Sequence, residues 1–256
     1  MQYRYFIHLA YNGRNYAGWQ IQPNAVTVQE LLESGMKQLA KVESVTGCGR
    51  TDTGVHAADF YAHFDSEREL LEQDILKLLL KLNRFLPDDI RIFSIQQVRH
   101  DAHARFSASR REYKYIIIRE KDPFLYESAY FVYGDLNIEA MNQCAALLIG
   151  KHDFECFSKV RTEVNNFICE VFEARFTEKD HVLEFTICAD RFLRNMVRAI
   201  VGTLLDVGRG KLSTDGFVEV LNSRNRCKAG YSVPAKGLTL TRVHYDSIIF
   251  IVEQIG

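Results

Sequence analysis

"TVQELLESGMKQLA", Thr27 to Ala40, decides the fold. Leu31, Leu32, Met36 and Leu39 recur at helical spacing, and Thr27 stands where an N-cap belongs. Upstream, "YRYFIHLAY" (Tyr3–Tyr11) alternates polar and apolar residues as a strand does. Downstream, "VESVTG" (Val42–Gly47) and "DFYAHF" (Asp59–Phe64) read as strands flanking a glycine-rich stretch. "LLEQDILKLLLKLNRFL" (Leu70–Leu86) is a second amphipathic helix ended by Pro87, and "IRIFSIQQV" (Ile90–Val98) a closing strand. The order β-α-β-β-α-β is that of the ferredoxin-like split motif.

The second half repeats this order loosely. Glu112–Arg119 reads as a strand, Ile138–Ile149 as a helix, and Phe167–Thr177 and Val182–Cys188 as strands. Helices are expected at Arg191–Val207 and Thr214–Asn222, and strand character over Leu238–Val252. The fold class is therefore α/β, in two related halves, 1–105 and 106–256, with the functional cleft between them. No Pro- or Gly-rich linker separates the halves, so they should be tightly joined.

Of 256 residues, 47% are hydrophobic and 25% charged, as in an ordinary soluble protein. The N-terminus lacks the apolar core of a signal peptide, and no apolar run approaches the ~18 residues that span a bilayer. The six cysteines form no Cys-x-x-Cys pair and read as reduced thiols, so a cytoplasmic protein is expected. The net charge of -1 argues against indiscriminate coating of nucleic acid. Yet Arg99 to Arg119 carries Arg99, Arg105, Arg110, Arg111, Lys114 and Arg119 against only Asp101 and Glu112. Such clusters can form a face that follows a phosphate backbone.

"GRTDTGVHA" (Gly49–Ala57) holds an Asp-Thr-Gly turn of the kind found in aspartic proteases. Those enzymes need two such carboxylates, and this chain has one turn, with Val55 where a hydroxyl would be wanted. The protease reading fails. Gly47, Gly49 and Gly54 permit close backbone approach around Asp52, and Arg50 is a fixed cation able to grip phosphate. Asp52 is either a presented nucleophile or base, or an aspartate capping its own loop.

In "FLRNMVRAIVG" (Phe192–Gly202), a helix starting at Arg191 would set Arg191, Arg194 and Arg198 within an arc of about 60°. That stripe is either a solvated face or the lining of a cleft. "RFSASRREYKY" (Arg105–Tyr115) has the composition of a surface that binds phosphates and stacks on bases, with Phe106 and Tyr115 expected in the core. Tyr11, Tyr16 and Trp19 either pack their loop or form a base-contacting edge.

These blocks, with "YNGRNYAGWQIQ" and "PAKGLTLTRVHY", together resemble the tRNA pseudouridine synthase A family, in family order along the whole chain. The resemblance implies a duplicated α/β fold and isomerisation of uridine to pseudouridine at positions 38, 39 and 40 of the anticodon stem-loop of tRNA. It implies Asp52 as the catalytic aspartate, Arg198 as the arginine paired with it, Tyr113 as the contact to the target base and Arg50 as the residue at the flipped nucleotide. It further implies a homodimer that needs no metal or organic cofactor, with tRNA as partner and no membrane association. Two features depart from the family pattern. Thr53 stands where alanine is usual, and Lys159–Ile168 matches nothing placeable. The alternatives are an RNA-binding module of the same fold without catalysis, against which the intact Asp52, Tyr113 and Arg198 argue, and a metal-dependent hydrolase using Asp52 with His56 or Asp59. His56 is more simply a loop-stabilising residue.

Overall fold

Strand β1, Tyr3–Tyr11, buries Tyr5, Ile7, Leu9 and Tyr11 on one face, as its alternation requires. In the computed structural model, which describes residues 2–159 and 166–251, this strand is central to the first of two units. Helix α1, Val28–Ala40, begins where the Thr27 hydroxyl accepts the Glu30 N–H at 3.3 Å and ends at Lys41 in the left-handed region (φ 58°). It buries Val28, Leu32 and Met36, each worth about 1.5–3 kcal/mol of apolar transfer.

Strand β2 is only Thr46–Gly47, shorter than the expected Val42–Gly47. The reason is local: the Val45 N–H donates to Glu33 and the Val45 carbonyl accepts from Gln29. Helix side chains thus take the backbone groups that a strand would use. Strand β3 is His56–Ser66, helix α2 Glu72–Phe85 and strand β4 Ile90–Val98. β1 pairs antiparallel with β3 (His8 opposite Tyr61) and with β4 (Phe6 opposite Gln96), while β2 lies on the other edge of β3. The order β4-β1-β3-β2 is that of the split motif. Helices α1 and α2 meet at Gly35, where an added Cβ would lie 3.0 Å from the Phe85 ring.

The second unit spans residues 110–239, and residues from 240 onward return to the first. Its elements are β5 (Ala108–Ile118), β6 (Tyr130–Phe131), α3 (Ile138–Ala146), β7 (Gly150–Asp153), β8 (Ile168–Lys179), β9 (Val182–Ala189), α4 (Met196–Gly208) and α5 (Thr214–Asn222). The antiparallel order is β5-β9-β8-β7, with β6 parallel to the end of β5. Most of the unplaced stretch Lys159–Ile168, residues 160–165, lies outside the described residues, as does Val252 of the expected last strand. That strand, β10, is Leu238–Tyr245.

Helix α3 ends at Ala146 rather than Ile149, and α4 departs further from expectation. α4 starts at Met196 rather than Arg191, because Asn195 adopts φ 67°, ψ 3°, a conformation that a right-handed helix cannot continue through. Arg191 and Arg194 therefore precede the helix, and the three-arginine stripe does not exist; Arg198 alone of the three is helical.

Candidate active site

The loop after β2 is anchored on either side of Asp52. The Cys48 N–H donates to the Tyr61 carbonyl at 2.7 Å, continuing the β2–β3 pairing. Thr51 and Val55 are buried, Asp52 is half-buried between them, and Arg50 is exposed. The Val55 N–H closes a turn on the Asp52 carbonyl at 3.1 Å. A side chain so placed has fixed backbone and reachable oxygens, as a nucleophile or base requires.

The residues between β1 and α1 brace this loop. The Tyr11 hydroxyl lies 2.8 Å from the Thr51 hydroxyl. The Trp19 N–H points to the Thr51 carbonyl at 3.4 Å, the Gly54 N–H donates to the Tyr16 carbonyl at 3.2 Å, and the Gly13 N–H donates to His56 Nδ1 at 3.0 Å. Two glycines make the approach possible. A Cβ at Gly13 would fall 1.9 Å from the Val55 carbonyl oxygen, and one at Gly18 (φ +91°) would fall 2.3 Å from that of Thr51. The bracing segment is itself tied to Asp89, which receives the Tyr16 hydroxyl and the Asn15 side-chain amide and whose carbonyl accepts the Asn12 N–H. Burial and the Asp89 carboxylate push the Tyr16 hydroxyl far above the usual phenol range.

This settles the open reading of the N-terminal loop. Tyr11, Tyr16 and Trp19 are 4%, 5% and 2% exposed, so their rings pack the loop rather than offer an edge to a base. The role of Tyr16, Asp89 and Gly18 in holding the Asp52 loop was not read from sequence. The paired glycines in "YNGRNYAGW" were the available signal. His56 stabilises the loop by accepting the Gly13 N–H, as expected.

In the second unit, Tyr113 is half-buried in the middle of β5, opposite Ile187 of β9, with its ring edge-on to Phe192 at 5.0 Å. Tyr115, two residues on and therefore on the same face, is fully buried and donates to the Pro234 carbonyl at 2.8 Å. Burial pushes its hydroxyl well above the phenol range, and the charge of Arg198 opposes that shift. Arg198 Nε donates to the Val233 carbonyl at 2.7 Å, and the Val233 N–H returns to the Arg198 carbonyl at 3.2 Å. Gly202 lets that segment approach α4, since a Cβ there would meet the Tyr231 carbonyl oxygen at 1.8 Å. The guanidinium is thus held at one edge by backbone.

Arg50 and Asp52 share one loop of the first unit, and Tyr113 and Arg198 belong to β5 and α4 of the second. Arg110 lies over the Phe172 ring at 4.1 Å, and Arg111 donates to the Asp190 carbonyl at 2.8 Å. Phe106, expected in the core, is 76% exposed, because the chain turns at His103–Ser107 before β5 begins. Tyr115 is in the core, as expected.

A family model described as tRNA pseudouridine synthase matches residues 144–246. Over 252 residues the chain is 49% identical to a protein of Parabacteroides distasonis named tRNA pseudouridine synthase A, covering 98% of this chain and 99% of that one. A protein of the same name from Bacteroides fragilis is 50% identical, over 96% of this chain and 98% of its own. One from Bacillus licheniformis is 40% identical, over 93% and 98%. Among the described residues no helix is long and apolar enough to cross a membrane.

Proposed function

The chain belongs to the tRNA pseudouridine synthase A family, and from that premise we propose that it converts uridine to pseudouridine at positions 38, 39 and 40 of the tRNA anticodon stem-loop. The observation that carries this is near-half identity over almost the whole length of both chains. The reaction breaks the bond between the sugar and N1 of uracil, turns the base, and forms a bond from the same sugar carbon to C5. The C5 proton leaves and N1 takes one up, so nothing is oxidised or hydrolysed.

We assign Asp52 as the nucleophile, on the sugar or on the base. A target base inside a stem-loop must be extruded, at a cost of a few kcal/mol. Arg50, exposed two residues before Asp52, is assigned to the opened strand, and Tyr113 to the extruded base by stacking and through its hydroxyl. Arg198 is assigned as the counter-charge that favours an ionised carboxylate. The protein is proposed to act in the cytoplasm as a homodimer, one subunit presenting Asp52 while the other seats the tRNA body.

The test is incubation with an unmodified tRNA transcript labelled at uracil C5, with and without chelator. Release of label under both conditions is expected. Binding without release would favour the non-catalytic RNA-binding reading.

A further inference from the structure

The turn that carries Phe106 is built by more hydrogen bonds than a surface loop needs. The His103 N–H donates to the Ser107 hydroxyl at 2.9 Å, and the Ser107 N–H returns to the His103 carbonyl at 2.9 Å. His103 Nδ1 accepts from the Arg105 N–H at 3.0 Å and faces the Phe106 N–H at 3.4 Å. The turn is fastened to the sheet beneath. Arg4 donates to the Ala102 carbonyl at 3.0 Å, and His63 Nδ1 accepts the Ala104 N–H at 3.2 Å.

At the tip of this rigid turn stands Phe106, 76% exposed. Its ring lies 4.4 Å from the His103 ring, which in turn packs edge-on against His63 at 4.6 Å. The Arg105 guanidinium sits 5.5 Å from the Phe106 centroid. An exposed phenylalanine held in place gives the fold little in return, since its ring keeps most of its surface in water. A flat ring, an adjoining cation and a fixed backbone together suit a nucleobase that stacks while its phosphate meets the cation. A paired stem hides its base faces, so the occupant is an unpaired base.

We propose that the His103–Ser107 turn is a stacking platform for an unpaired base of the tRNA, separate from the target uridine, with Phe106 as the stacking surface and Arg105 as the phosphate contact. The proposal rests on the reading of this chain as a tRNA-modifying enzyme.

The experiment measures the Kd of an unmodified tRNA transcript for wild type and for Phe106→Ala, Phe106→Leu and Phe106→Trp, alongside melting temperature and sedimentation. Alanine and leucine should each weaken binding about 5- to 100-fold, and tryptophan should restore it, because stacking needs a π-face rather than apolar bulk. Melting temperatures should not change. Unaltered Kd in Phe106→Ala, or wild-type Kd in Phe106→Leu, overturns the platform. So does a lowered melting temperature, which would mark a packing residue, or a changed oligomeric state, which would mark a contact between copies. Label release by wild type is scored separately. Its absence would remove the proposed activity and leave the platform to be judged on Kd.

Discussion

The buried hydroxyls of Tyr11 and Thr51 lie 2.8 Å apart, joining the end of β1 to the residue immediately before Asp52. Tyr11→Phe keeps the ring among Trp19 and Phe60 but leaves the Thr51 hydroxyl without this partner. The stability cost should be about 1 kcal/mol, typical of one hydrogen bond. The larger effect should be on label release, by about 10-fold or more, because a loosened Thr51 misplaces the neighbouring carboxylate. Denaturant titration and initial rates check both; a variant that loses stability but not turnover would make the pair merely structural.

Two glycines near the same loop should respond very differently to alanine. At Gly18 the backbone has φ +91° and the new Cβ would lie 2.3 Å from the Thr51 carbonyl oxygen. Gly18→Ala should cost about 2–4 kcal/mol through strain and displaced backbone. At Gly49, inside the "GRTD" block, nothing lies within 4 Å of the added atom. Gly49→Ala should leave stability within about 0.5 kcal/mol of wild type. Parallel thermal melts decide it, and equal losses at both positions would refute the bracing geometry.

His63 makes part of the stability depend on pH. Burial, with Arg4 and His103 nearby, lowers its pKa to about 4, while Asp65 pulls the other way. The unfolded chain has an ordinary histidine, so between about pH 6.5 and about 4 it binds the extra proton. The folded-state pKa is depressed, so this stability is complete above about pH 6.5 and is lost as pH falls to about 4. The loss is up to about 3 kcal/mol. His63→Gln, which keeps an acceptor for the Ala104 N–H, should flatten that segment of the melting-temperature profile; an unchanged slope would assign it to other groups.

The elements that could be read from sequence are those whose information is local. β1, α1 and β4 have the expected limits because alternation, a threonine cap and a proline-bounded turn sit inside each segment. The start of α4 could not be read that way. The basic residues at 191, 194 and 198 continue helical spacing through Asn195, whose left-handed backbone leaves no trace in hydrophobic pattern. Phe106 escapes a local reading for a related reason, since a turn held by His103 and Ser107 side chains looks, by composition, like the start of a strand. For the candidate site, glycines around Asp52 marked a presented loop. Its brace joins residues 11–19 to residues 51–56, and so long a separation in sequence is invisible to any local period.

Asp52→Asn keeps shape and hydrogen bonding but has nothing to ionise and is a poor nucleophile. It should bind the tRNA transcript with near wild-type affinity and release no C5 label at any pH. Arg198 poses a subtler case, because Nε is already engaged by the Val233 carbonyl at 2.7 Å. A guanidinium can hold that contact at one edge and offer its remaining N–H groups elsewhere, whereas a lysine ammonium at the end of a flexible stem cannot reproduce the fork. Arg198→Lys should therefore lose turnover by about 10- to 100-fold despite its unchanged charge, and Arg198→Ala should lose more. If charge alone mattered, lysine would restore most activity. Full turnover by Asp52→Asn would defeat the assignment of that carboxylate altogether, since the proposed roles of Arg50, Tyr113 and Arg198 all converge on it.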